Sequence, residues 1–157
     1  MWALFSAAAL ALDRTLKYKA RKQDLPDLLV QGGSVELHTV ENTGLAGGTF
    51  RNHPKLCRYL PGIAFALTAP ALLRHFKSQH PAAKCGISLL LAGAASNIGD
   101  RLFRGSVTDM LCFPKAPGRL KKLVYNVADF MILFGGLLTL LFSCRSKGKD
   151  PSSFRQN

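Results

Sequence analysis

With 157 residues the chain has room for one domain, and its net charge of +12 implies an anionic partner, either nucleic acid or lipid headgroups. Its four cysteines, at 57, 85, 112 and 144, are far apart and form no CxxC, so zinc and thiol-redox motifs find no support. A hydrophobic fraction of 48% is ordinary for a soluble protein, but its distribution is not: apolar residues gather at 1–12, 60–73, 86–99 and 123–142, with most of the charge between them.

The first apolar run predicts a helix over about 1–20. No basic residues precede it, so it reads as a retained helix and not as a cleaved secretory signal. Next comes a polar stretch in which 28–31 and 34–40 flank Gly32-Gly33, the pattern of a β-hairpin. Unpaired strand edges cannot lie in lipid, so this hairpin belongs at the membrane surface. A second helix is expected over 57–76, with Pro61 and Pro70 arguing for a capped start and a kink. His80-Pro81 marks the turn to a third helix over 85–103, and a fourth is expected over 123–144. Only the last run reaches the roughly 20 residues that comfortably span a bilayer. The second can span with Arg58, Tyr59 and His75 at its ends, whereas the first and third bring Asp13 and Asp100 close to lipid.

The fold class expected is an all-α membrane protein of four transmembrane helices, with a small extracytoplasmic β-hairpin or sheet between helices 1 and 2. A soluble helical bundle is the plainer alternative. Residues 1–144 would form the domain and 145–157 a polar, disordered tail. The basic patches at 17–22 and 119–122 flank apolar runs, as contacts to lipid headgroups would, which weakens the nucleic-acid reading. Gly135-Gly136 suits close helix packing. Seven Lys/Arg fall on the side of the termini and fourteen on the other, a bias that by itself would put the termini outside.

Chemistry concentrates in two polar clusters, Asn97 to Asp109 and Asn126 to Asp129. A carboxylate within a span costs about 2.5–3.5 kcal/mol, so its default reading is functional. Asn97 lies three residues from Asp100 and four from Arg101, and Asn126 three from Asp129, so each set shares a helix face. The 110–122 segment returns the chain from Asp109 to the fourth helix, which lets Asp109 and Asp129 converge at one membrane face. Two close carboxylates cannot both ionise cheaply: one can take a proton from water while the other, neutral, hydrogen-bonds a scissile carbonyl. Such chemistry needs no metal or organic cofactor. A small proton- or ion-coupled transporter would also use intramembrane carboxylates.

Asp13…Lys17, Asn42-Thr43-Gly44-Leu45-Ala46-Gly47, Gly93 to Asn97 with Asp100-Arg101, Gly105…Val107…Asp109 and Asn126-Val127-Ala128-Asp129 occur in the order found in lipoprotein signal peptidases. The chain resembles that family over most of its length. The resemblance implies an intramembrane aspartyl protease of the bacterial cytoplasmic membrane, cutting diacylglyceryl-modified prolipoproteins just before the lipidated cysteine. It implies Asp109 and Asp129 as the catalytic pair, with Asn42, Gly44, Asn97, Asp100, Arg101 and Asn126 supporting the site or holding substrate. Asp13 and Lys17 would fix the first helix. Asp100, beside Arg101, reads more readily as an ion-pair or capping partner than as a catalytic group. The family pattern also implies cytoplasmic termini, against the charge bias, and an active site near the outer face; because one chain carries both aspartates, it is expected to work as a monomer among membrane lipids. Arg14, Leu45, Gly47-Gly48 and Met110 depart from the family's usual residues and put the shape of the substrate groove, not the aspartate pair, in question. An inactive relative that binds lipidated peptides is a further reading.

Overall fold

The structure is a computed structural model that describes residues 2–24, 34–76 and 80–143. Four helices carry most of it: α1 (Trp2–Arg21), α2 (Pro54–His75), α3 (Pro81–Arg104) and α4 (Val127–Ser143). Three strands, β1 (Glu36–Asn42), β2 (Val107–Cys112) and β3 (Val124–Tyr125), form an antiparallel sheet in the order β1-β2-β3. The sheet is drawn from two connections, α1 to α2 and α3 to α4, so it caps one end of the bundle.

The expected helices are present, with their ends moved by local chemistry. Pro54 and Pro81 open α2 and α3, positions where the missing N–H costs nothing. Both Pro61 and Pro70 lie inside α2. At the end of α3, Gly105 adopts φ 84° and returns its N–H to the Arg101 carbonyl, a left-handed stop that favours glycine. The fourth helix begins at Val127, not near 123, because Val124 and Tyr125 pair with β2 and Asn126 caps the helix. The α2 segment Pro54–Arg74 and all of α3 are long and apolar enough to cross a membrane, whereas α4 is a shorter apolar helix of 17 residues.

Helices α3 and α4 approach through glycine. A Cβ at Gly86 would lie 2.7 Å from the Gly135 carbonyl oxygen, and one at Gly135 would lie 2.6 Å from the Leu90 nitrogen. Further along, a Cβ at Gly93 would meet the Ala128 carbonyl at 2.6 Å. Such backbone-to-backbone packing is how helices associate where burial from water supplies no drive. The helix-packing expectation holds for Gly135; Gly136 only meets the Leu90 side chain at an ordinary distance.

The sheet corrects the all-α expectation in its detail. Strand β1 overlaps the second arm of the expected hairpin, and the first arm at 28–31 lies outside the described residues. The described partner of β1 is β2, nearly 70 residues away, with Val40 opposite Asp109 and Asn42 opposite Val107. This pairing, nearly 70 residues apart in sequence, is one that no local turn signal could announce. The expected tail at 145–157 also lies outside the described residues.

Candidate active site

A cavity of about 600 Å³ opens between the sheet and the ends of α3 and α4, and Asp109 and Asp129 both line it. Asp109 projects from the central strand and is 4% exposed. Asp129 occupies the first turn of α4. Its position is set by a reciprocal cap: the Asp129 N–H donates to Asn126 Oδ1 at 2.9 Å, and the Asn126 N–H donates to Asp129 Oδ2 at 3.0 Å. This is a capping box built from Asn and Asp, satisfying two helix-end donors and fixing the carboxylate.

Three asparagines aim their amide N–H groups at the two carboxylates. Asn126 Nδ2 donates to Asp109 Oδ1 at 2.6 Å, and Asn42 Nδ2 donates to Asp109 Oδ2 at 3.0 Å. Asn97 Nδ2 donates to Asp129 Oδ1 at 2.9 Å. In each amide the oxygen is held by a separate donor: the Gly44 N–H for Asn42, the Lys17 ammonium for Asn97, and the Asp129 N–H for Asn126. Flipping any of these amides would set oxygen against oxygen, so the network defines its own orientation. Asn126 therefore touches both aspartates, one by side chain and the other by backbone.

Burial pushes the Asp109 carboxyl up to about 6, against the pull of its hydrogen bonds from Asn126 and Asn42; the neighbouring charge of Asp129 raises it further. No cation forms an ion pair with either aspartate among the described residues. Arg101, on the cavity wall, is 7% exposed and has a buried Nη1 with no hydrogen-bond partner among the described residues.

A second polar cluster lies behind the first. Lys17 and Asp13 are fully buried and 3.0 Å apart. Lys17 Nζ also donates to Asn97 Oδ1 at 2.8 Å and lies 2.9 Å from Asp100 Oδ2, a charge contact without hydrogen-bond geometry. Asp13 accepts from Ser96 Oγ at 2.6 Å and from the Ala128 N–H at 2.9 Å, tying α1 to both α3 and the start of α4. Arg14 donates to Asp100 Oδ1 at 2.7 Å. Asp100 is thus turned toward α1 and does not line the cavity, which corrects its grouping with Asn97.

The structure brings Asn42, Asn97, Arg101, Asp109, Asn126 and Asp129 to one cavity. Asp13, Lys17, Asp100 and Gly44 stand behind that wall and act on it through other groups. Sequence reasoning gave no role to Ser96, although its four-residue spacing from Asp100 was a usable signal. Ser96 and Asp100 form a stripe facing α1, while Asn97 and Arg101 form the neighbouring stripe facing the cavity. Arg51 was unread, and Lys122, read as a headgroup contact, lines the cavity. Among the described residues no cluster of His, Cys, Asp and Glu is arranged to hold a metal ion.

In architecture the chain is a small four-helix bundle with a three-stranded sheet at one end. Two solved structures described as bacterial membrane enzymes superpose on it with TM-scores of 0.75 and 0.73, each at 22% identity. The alignments cover 89% of this chain and 85% of the first structure, and 94% of each chain for the second. Sequence comparison is more specific. Residues 5–145 match the family described as Signal peptidase (SPase) II. The chain is 30% identical to a lipoprotein signal peptidase of Moorella thermoacetica, over 94% of this chain and 97% of that protein. It is 32% identical to another from Caldicellulosiruptor bescii, over 88% and 87% of the two chains. The chain belongs to the signal peptidase II family, and the resemblance read from its motifs is borne out. Membership in a peptidase family displaces the transporter reading of the same carboxylates.

Proposed function

We propose that the chain is an intramembrane aspartyl endopeptidase that removes signal peptides from diacylglyceryl-modified prolipoproteins, cutting just before the lipidated cysteine. Asp109 and Asp129 form the catalytic pair. The observation that carries this reading is Asn126, whose side chain holds Asp109 while its backbone holds Asp129 at the wall of one cavity. Neutral amides, not cations, hold both carboxylates, so the pair can keep a single shared proton.

In the proposed reaction the ionised aspartate takes a proton from water, which attacks the scissile carbonyl. The neutral partner hydrogen-bonds the carbonyl oxygen and then supplies the proton that the leaving amine needs. The two titrate as a unit, and either can begin as the base. The unpartnered Nη1 of Arg101 is available for a substrate carbonyl. Lys17 acts as a positioning residue, holding the Asn97 amide toward Asp129. In this reading all four helices span the membrane, the termini are cytoplasmic, the sheet faces outward, and one chain suffices.

The test is cleavage of a lipid-modified prolipoprotein in detergent. Wild type should cut the modified substrate and spare the unmodified one, and Asp129→Asn should reduce cutting by at least about a thousandfold. Turnover by the variant near the wild-type rate would reject the catalytic pair. For topology, Cys112 on β2 should react with an impermeant thiol reagent from outside only. Labelling from the cytoplasmic side would overturn the proposed orientation.

A further inference from the structure

The cavity carries more positive charge than the proposed reaction uses. Among the described residues its lining includes the cations Arg51, Arg101 and Lys122, and as acids the two aspartates. Arg101 is buried on the inner wall, whereas Arg51 and Lys122 are exposed. Neither of these two takes part in an ion pair among the described residues.

Both are carried on hydrogen-bonded turns. The segment before Arg51 is closed by the Leu45 N–H to the Thr49 carbonyl at 2.7 Å and the Gly48 N–H to the Leu45 carbonyl at 2.9 Å. Lys122 ends a short 3₁₀ turn, Leu120–Lys122, closed by its own N–H to the Arg119 carbonyl at 3.1 Å. The two turns approach one another, since a Cβ placed at Gly47 would lie 3.7 Å from Leu123 Cδ2. Two cations without an ion pair among the described residues therefore stand on neighbouring turns of the two connections that also carry the sheet. From within the helices, α4 adds the apolar side chains Ile132 and Leu133 to the lining.

This polarity sorts the two halves of a bound substrate. An apolar signal segment matches the α4 side, and the diacylglyceryl group is uncharged and can form no ion pair with either cation. In the proposed orientation the chain that follows the modified cysteine leaves on the sheet side, past the two turns that carry Arg51 and Lys122. We infer that Arg51 and Lys122 are specificity determinants that favour acidic residues just after the modified cysteine. The inference rests on the proposed peptidase reading and adds a charge preference to it. Charges at the edge of a site act mainly on encounter and selectivity, and their effect weakens with salt.

The experiment compares three lipid-modified substrates that differ only in the two residues after the modified cysteine: acidic, neutral or basic. Wild type should favour acidic over basic by roughly three- to tenfold in kcat/KM at low salt, with the ratio shrinking as salt rises. The double variant Arg51→Gln/Lys122→Gln should flatten the ratio, and Arg51→Glu/Lys122→Glu should invert it. The ratio is internal to each preparation, so a change in the amount of folded enzyme cancels. An equal wild-type rate on all three would overturn the inference while leaving the peptidase reading standing. So would a uniform loss in the variants with the ratio intact, or a preference that follows the anionic lipid content of vesicles and not substrate charge. Wild type that cuts none of the three would contradict the peptidase reading and this inference with it.

Discussion

Two pairs of aspartates lie within the same bundle, and they are held in opposite ways. Asp13 and Asp100 are both buried and flank the ammonium of Lys17, with Arg14 completing the set on Asp100. Asp109 and Asp129 are held by three asparagine amides and a backbone N–H, with no ion pair among the described residues. A buried carboxylate matched by a cation serves as a fixed strut, because removing either partner strands a buried charge. One matched by neutral donors keeps its proton affinity adjustable, as water activation requires. The identity of their partners separates struts from reagents.

Removing the shared cation should have the largest effect on stability. Lys17→Met leaves Asp13 and Asp100 buried beside one remaining cation, Arg14, and should cost about 3–5 kcal/mol, read as a lowered thermal midpoint in detergent. A midpoint within a degree of wild type would contradict the strut reading.

The next effect follows from pH. Asp109 holds its proton up to about pH 6, against an ordinary carboxylate value of 3.8, so the folded state binds that proton more tightly than the unfolded chain. Its stabilising contribution is present below pH 4 and is lost as pH rises through 6. Asp109→Asn has no such dependence, so the variant should gain up to about 3 kcal/mol relative to wild type between pH 4 and 7. Parallel stability curves for the two proteins would remove the burial argument.

Smaller still is the loss of one amide. Asn42→Ala removes a single donor from Asp109 and leaves the Asn126 bond intact. Cleavage should fall by roughly tenfold, and the acid limb of the pH profile should shift upward, since the ionised form loses a hydrogen bond. An unshifted profile would place Asn42 outside the pair's control.

The sequence conveyed the helices because apolar runs and proline starts are local signals, and each expected helix overlaps an observed one. Asn97, Arg101, Asp109, Asn126 and Asp129 stood out as polar residues beside apolar runs, and Asn42 only through the family resemblance; all six line the cavity. Pairing was not legible. Strand β2 joins a partner nearly 70 residues away, and Val124-Tyr125 reads equally well as the start of an apolar helix. Nor could a helix face decide between Asp100 and Asn97, which lie three residues apart yet point to α1 and to the cavity respectively. That choice depends on where Lys17 arrives, which only tertiary packing determines.

The contrast between the two aspartate pairs is tested most directly by measuring cleavage and thermal midpoint together for Asp109→Asn and Asp100→Asn. The account predicts that Asp109→Asn folds at least as well as wild type at pH 7 and does not cut a lipid-modified prolipoprotein. It predicts that Asp100→Asn melts several degrees lower and, below its midpoint, still cuts at a rate within about tenfold of wild type. Cleavage retained by Asp109→Asn, or abolished in well-folded Asp100→Asn, would contradict it.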